Sequence, residues 1–322
     1  MRRPGCLGMV LALVLLAALF GVTRSWIGSG PADKDVAVVV PSGATLSRAA
    51  TELETAGVIP SARRFLLLAR VFGSDEPIRA GEYRVPAHAS QSDVLELLQS
   101  GKVVQRRVTV PEGMPSVLVH EALMRAPYLT GSVAVPEEGS VLPDSYNYQR
   151  GDTRQQVLDR MQAAMREYLA DAWKRRQPTT PVRSPREALI LASIVEKETS
   201  KEAERRTVAA VYSNRLKQGM PLQADPTVIY PVTKGRPLGR RILRSELIAK
   251  NGYNTYASAG LPVGPIANPG RASIEAVLDP ATTNALYFVA DGTGGHVFAD
   301  TLDEHNANVR KWYAIRRARG EM

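Results

Sequence analysis

Residues 184–199, SPREALILASIVEKET, constrain the fold more than any other stretch, because they read as one helix without a polar face. Ser184 suits an N-cap, Pro185 the first helical position, and Glu187 completes a capping box with the serine. At roughly 100° per residue, Ala188, Leu189, Ile190, Leu191, Ala192, Ile194 and Val195 cover almost the whole circumference. Such a helix needs a sizeable domain packed around it. Its far end carries carboxylates. Glu198 falls in angle between Leu191 and Ile194, and Glu196 between Ala192 and Leu189, so either could lie partly desolvated with its pKa raised toward general-acid range. Helix geometry leaves that choice open, and with it a plainer reading in which Glu196-Lys197-Glu198 is a solvated helix end.

At 322 residues the chain can hold two domains beyond a targeting segment. Its 41 Lys+Arg against 32 Asp+Glu give a net charge of +9, which suits an acidic polymer or a membrane surface. Nucleic acid is not expected, since zinc spacing, an RNP-like strand and a basic helix with groove-facing periodicity are all missing. Cys6 is the only cysteine, so no internal disulfide can form.

Gly5 to Val22 carry no charge and are dominated by Leu, Val and Ala, enough to cross a bilayer with the flanking turn. Arg2 and Arg3 precede them, which places the amino terminus in the cytoplasm and the rest of the chain outside. An uncleaved anchor is preferred to a signal peptide, because no small-x-small cleavage site follows. The anchor and its stub are expected over 1–27 and a linker over 28–35, where Gly28, Gly30 and Pro31 cluster.

The fold class expected is α+β: the transmembrane helix, a small α/β subdomain over 36–110, a larger mixed domain over 111–318 and a tail over 319–322. In the subdomain, strand Val36–Val40 leads to a helix through Leu46, Ala49, Ala50 and Leu53, and Ser61 opens a second. Strand Gly81–Val85, a helix capped by Ser90 and closed by Gly101, and a strand over Val103–Val110 complete a βααβαβ unit. Its βααβ portion resembles the LysM-like subdomain of some cell-wall proteins.

In the larger domain, helices are expected through Val117–Met124, Thr153–Trp173 and Glu202–Lys217, with Val208, Val211 and Tyr212 on the apolar side of the last. Glu138 to Tyr146 reads as an ordered loop. Asp225, before Pro226, is either an N-cap or a substrate contact. The cluster Lys234, Arg236, Arg240, Arg241 and Arg244 reads as a solvated loop. Tyr253-Asn254-Thr255-Tyr256 offers aromatic faces beside amides, a pairing suited to sugar rings. Leu286–Ala290 and His296–Ala299 flank a Gly-rich turn and form a hairpin. Thr301 and Glu304 form a capping box for a last helix.

Metal chemistry is not expected: His88, His120, His296 and His305 lack ligand spacing. No G-x-S-x-G elbow or P-loop occurs, so no cofactor is implied. His296 after two glycines is a catalytic candidate, with a structural role the simpler reading. What remains is carboxylate chemistry on a polymer outside the cytoplasm. Ordinary glycosidases need two carboxylates, but one acid/base suffices if the sugar's own 6-hydroxyl attacks the anomeric carbon.

A set of motifs then becomes specific. Ala192-Ser193-Ile194-Val195-Glu196-Lys197-Glu198-Thr199, Asn214-Arg215-Leu216, the run Leu222 to Tyr230, Tyr253-Asn254-Thr255-Tyr256, Gly264 to Gly270 and Phe288 to Gly292 closely resemble those of the MltG (YceG-like) endolytic murein transglycosylases. The likeness spans the anchor, the LysM-like unit and the larger domain. Ser145 departs from it, standing where the P-D-T-Y motif has threonine, and the arginine-rich stretch around Arg240 is particular to this chain.

The resemblance implies that the second glutamate of I-V-E-K-E, Glu198, is the acid/base. It implies cleavage of MurNAc–GlcNAc β-1,4 bonds within strands to give 1,6-anhydro-MurNAc ends, at the cytoplasmic membrane and beside peptidoglycan synthases. Gln223, Asp225, Asn254 and Tyr256 are the expected substrate contacts. The rival expectations are a wall-binding scaffold without catalysis and a hydrolase that uses water.

Overall fold

A computed structural model describes residues 5–321. Arg2 and Arg3, expected to orient the span, lie outside the described residues, as does Met322 of the tail. The chain divides into two units. The first runs to Arg106 and takes in Asn147–Asp152; the second comprises Arg107–Tyr146 and the chain from Thr153 onward.

The first unit begins with α1 (Gly5–Ile27), whose stretch Gly8–Ile27 is, among the described residues, the one helix long and apolar enough to cross a membrane. β1 (Val36–Val40) is followed by α2 (Leu46–Thr55), α3 (Ala62–Phe72), β2 (Gly81–Val85) and α4 (Gln91–Ser100). Thr45, Ser61 and Ser90 cap the three helices with their hydroxyls, Ser90 in a full capping box with Asp93. β1 and β2 pair antiparallel, Val36 opposite Val85 and Val40 opposite Gly81. Their inner faces and the helices bury Val38, Val40, Leu53, Phe65, Tyr83 and Leu98 in one core. The Tyr83 hydroxyl is satisfied there, donating to Arg79 O at 2.6 Å.

Two sequence readings differ from what is observed in this unit. The linker expected over 28–35 is tied down, because Gly30 N donates to His88 O and Ala87 N to Asp35 Oδ1. The third strand is shorter than Val103–Val110. β3 (Arg106–Thr109) pairs not with the β1–β2 sheet but with β4 (Ser145–Tyr148), which begins inside the segment read as a loop. The boundary expected at Val110 also moves. Arg150 reaches back to Glu82 at 2.8 Å, beside Arg106 at 3.0 Å, and these guanidiniums hold the Glu82 carboxyl below its usual range.

The second unit is mainly helical: α5 (Ser116–Arg125), α6 (Arg154–Lys174), α7 (Pro185–Glu198), α8 (Glu202–Lys217), α9 (Asp225–Thr233), α10 (Arg244–Leu247), α11 (Arg271–Leu278) and α12 (Leu302–Ala318). The hairpin β5 (Tyr287–Ala290) and β6 (His296–Ala299) pairs Tyr287 with Ala299 and Ala290 with His296. α7 is the axis of this unit. Ala188, Ile190, Leu191, Ala192, Ser193, Ile194 and Val195 are all buried against α6, α8, α9 and α11. The one polar group among them is satisfied: Ser193 Oγ donates to Ile190 O and accepts from Ile266 N at 3.0 Å. The capping box at its start is only half made. Ser184 Oγ accepts from Glu187 N, but Glu187 Oε2 accepts from Arg183 N instead of the cap. In the arginine cluster, Arg240 pairs with Glu246 at 2.9 Å and Arg236 with Glu121.

Candidate functional site

The end of α7 separates two glutamates that helix angle alone could not. Glu196 turns toward the N-terminus of α11, where its Oε2 accepts from Gly270 N at 2.9 Å. A carboxylate there caps a free amide and meets the positive end of the helix dipole. Glu198 turns toward α8. Its carboxyl accepts a hydrogen bond from Tyr212, which is 2% exposed, and it also feels the charge of Asp225.

Burial is the largest influence on Glu198 and pushes its pKa up; the Tyr212 bond pulls it down and Asp225 pushes it up again, leaving it at about 7. Glu198 is also the last residue of α7, where the negative end of the helix dipole disfavours an anion. A carboxyl so placed is half protonated near neutrality, and can give a proton and take it back.

Tyr212 is fixed by packing. Its ring meets Phe288 edge-on at 5.9 Å, and its hydroxyl pKa is driven well up by burial and then by Glu198. One turn on, Arg215 is buried and spends its donors on the site's loops: Nε to Leu286 O at 2.7 Å, Nη1 to Leu222 O at 2.9 Å and to Gln223 Oε1 at 3.2 Å. Asn214 Nδ2 holds Thr283 O and Ala285 O. The Asn214-Arg215 pair thus anchors both the β5 approach and the 221–223 turn.

A cleft of about 370 Å³ opens on Glu198, with Thr199, Gly292, His296, Trp312 and Arg319 on its walls. His296 is held by Glu204, Nδ1 to Oε2 at 2.8 Å. Burial pushes the Glu204 carboxyl up, but its bonds from His296 outweigh this and hold it below the usual range. A somewhat larger concavity, about 430 Å³, lies by Arg205, Arg206 and Asp279 and does not include Glu198. Glu138, a half-buried carboxyl away from the cleft lining, is pushed up by burial but accepts from Ser116 N and the Tyr230 hydroxyl, a structural tie.

The expected substrate contacts separate on inspection. Asp225 is exposed and accepts from the Tyr256 hydroxyl at 2.6 Å, an acceptor that, after burial, drives the Tyr256 pKa up. Its reading as an N-cap is corrected, because Ala224 occupies that position and Asp225 is the first helical residue. Gln223 is exposed with φ +53°, its backbone N bound to Thr255 O. Asn254 is 1% exposed, and its amide donates to Glu246 O, Leu247 O and Ala249 O while Oδ1 accepts from Tyr256 N. Buried and fully bonded, its side chain has nothing left for a ligand; it fixes the loop that presents Tyr256.

Sequence reasoning placed Tyr212 only as a core residue and gave Trp312 and Arg319 no role beyond the last helix. Their link to Glu198 has no local signal, because Tyr212 meets it only when α8 folds back on α7, and Trp312 and Arg319 come from the far end of the chain. Among the described residues, no cluster of three or more His, Cys, Asp or Glu could hold a metal ion.

Two bacterial relatives, both named endolytic murein transglycosylase, share this organisation of sequence. The Bacillus subtilis (strain 168) protein is 29% identical over 318 residues, covering 88% of this chain and 87% of the relative. The Streptococcus pneumoniae serotype 2 protein is 28% identical over 355 residues and covers 93% of this chain, which spans only 63% of that longer relative. The crystal structure of a yceG-like protein from Listeria monocytogenes matches with a TM-score of 0.53 at 28% identity, over 85% of this chain and 99% of that one. The YceG-like family profile matches residues 38–311, and the chain belongs to that family.

Proposed function

We propose that the protein is an endolytic peptidoglycan transglycosylase, with Glu198 as its single acid/base. It cuts MurNAc–GlcNAc β-1,4 bonds within glycan strands and leaves 1,6-anhydro-MurNAc ends. The observation that carries the reading is the Glu198 carboxyl, raised to about 7 and opening on a cleft. The relatives' name supports the substrate.

Glu198, protonated, gives its proton to the glycosidic oxygen as the bond to C1 breaks, releasing the GlcNAc hydroxyl. The carboxylate so formed takes the proton of the MurNAc 6-hydroxyl as that oxygen bonds to C1. The ring closes, no water is consumed, and the acid is restored. Tyr212 steadies the carboxylate form midway. Gln223, Asp225 and Tyr256 contact the sugar, and Asn254 acts through Tyr256.

α1 serves as the anchor in the cytoplasmic membrane, with the amino terminus inside and both units outside. A tethered enzyme meets strands as they leave the synthases and sets their length, and the +9 charge suits an acidic wall.

Mass spectrometry of strands released from purified peptidoglycan by the full chain in detergent tests this. Internal fragments ending in anhydro-MurNAc, absent with Glu198→Gln, are expected. Reducing MurNAc ends would make it a hydrolase, and no cleavage by folded protein would leave a wall-binding scaffold.

A further inference from the structure

The first unit carries a basic and apolar surface that its own fold leaves uncovered. α3 holds Arg63, Arg64 and Arg70 and no acidic residue. At roughly 100° per residue, these three share one face with Leu67 and Val71, and all five are exposed, Leu67 at 55% and Val71 at 71%. The opposite face, Phe65, Leu68 and Ala69, is buried in the core. Apolar side chains set among arginines suit a helix lying in a bilayer interface. Arginine adds its stem to the apolar surface and its head to the phosphates.

The way α1 enters the unit gives this surface a direction. The helix runs unbroken to Ile27, and its last turn is part of the core. Trp26 is 5% exposed, 6.0 Å from the Phe65 ring and 6.4 Å from Phe72 at the end of α3. Gln91 Nε2 donates to Ser25 O at 2.6 Å. A span joined this way holds the unit at one attitude to the bilayer.

Where span and unit meet lies a concavity of about 400 Å³ lined by Gly21, Arg24, Ser25, Arg64 and Gln91. Arg24 and Arg64 are exposed, and neither guanidinium has a partner among the described residues. Gln91 is 4% exposed, yet among the described residues its Oε1 has no hydrogen-bond partner. A buried acceptor left so is costly unless a ligand supplies a donor. Two free guanidiniums beside it match a phosphodiester, and the acceptor matches a headgroup hydroxyl or ammonium.

We propose that this concavity binds a phospholipid headgroup, phosphate at Arg24 and Arg64 and headgroup donor at Gln91, and that the exposed face of α3 seats the first unit on the bilayer. The proposal rests on α1 spanning the membrane. Anionic phospholipids are preferred, because the surface is basic without a compensating acid on α3.

The test uses the full chain in nanodiscs of phosphatidylethanolamine and phosphatidylglycerol. Native mass spectrometry of the released protein should show retained phospholipid, falling about fivefold for each arginine removed in R24Q and R64Q. Among the described residues neither guanidinium has a partner, so both variants should fold. Equal retention in wild type and the double variant, or stripping of the lipid by millimolar inorganic phosphate, overturns the site. In a C6S background, a fluorophore at V71C should be quenched by headgroup spin-labelled lipid. Its absence in a chain that resists carbonate extraction overturns the seat and leaves the span intact. A chain removed by carbonate refutes the span itself.

Discussion

The Tyr212 hydroxyl on α8 donates to the Glu198 carboxyl at the end of α7. This bond favours the carboxylate, while burial and Asp225 favour the acid, and the acid gains most. The opposition suits the proposed acid/base, which would work in both forms. Burial keeps the proton available, and Tyr212 keeps its loss affordable.

The first consequence concerns pH and activity. In the proposed mechanism bond breaking needs Glu198 protonated, so turnover should fall as pH rises through about 7. Glu198→Gln, which cannot take the proton back, loses roughly a hundred- to ten-thousandfold in rate. The check is the initial rate of anhydro-end formation across pH.

Stability should move with the same group. Native Glu198 keeps its proton to about 7, against 4.5 for an ordinary glutamate. Between those values the native state binds more protons than the unfolded one, so this group's contribution to stability falls as pH rises through the window, with a ceiling of about 3 kcal/mol. Glu198→Gln is free of that penalty. Its Tm relative to wild type should rise between about pH 5 and about pH 8 by several degrees; a constant difference in calorimetry would show that the carboxyl is not desolvated.

Tyr212→Phe removes the donor that pulls the Glu198 pKa down. The alkaline limb of the rate profile should move up by about one pH unit, with kcat lowered and KM little changed because Tyr212 is buried. An unmoved limb, by the same assay, would show that the bond does not tune the acid.

How much of this was legible in the sequence depends on the range of the interaction. The apolar circumference of α7 foretold its burial, and Ser184, Thr301 and Ser90 cap helices as their spacing suggests. Local chemistry carried those. Glu196 and Glu198 differ only through Gly270 and Tyr212, which come from other helices, so helix angle could not rank them. Gly28 and Gly30 looked like linker residues for a compositional reason. In the fold, a Cβ on Gly30 would lie 2.2 Å from Ala89 O, so this glycine permits close packing.

Asn254 and Asp225, both in the proposed sugar-contact set, should respond differently. Asn254→Ala removes the amide group that donates to three backbone carbonyls and leaves those acceptors without it, which costs about 1–3 kcal/mol. Its main effect is a lower Tm, with activity lost only as Tyr256 shifts. Asp225→Asn, at an exposed carboxylate, should leave Tm nearly unchanged and lower kcat/KM. Paired thermal and kinetic measurements separate them, and an unstable Asp225→Asn would make that residue structural.

Trp26 decides where a soluble fragment can begin. The apolar run invites truncation at the glycines, and a fragment starting at Gly28 would be free of the span. It would also lack Trp26, whose ring lies against Phe65 and Phe72, and Ser25, whose carbonyl takes the Gln91 amide. Removing a buried tryptophan costs about 3–5 kcal/mol, a large share of the roughly 5–15 kcal/mol that holds a domain together. The fragment starting at Gly28 should therefore melt lower in its first unit than one starting at Arg24, and Trp26→Ala in the full chain should reproduce the loss. Calorimetry resolves the question, since the second unit contains no part of this contact. Equal melting of the two fragments would mean that α1 only tethers the unit, and the fixed attitude to the bilayer would fall with it.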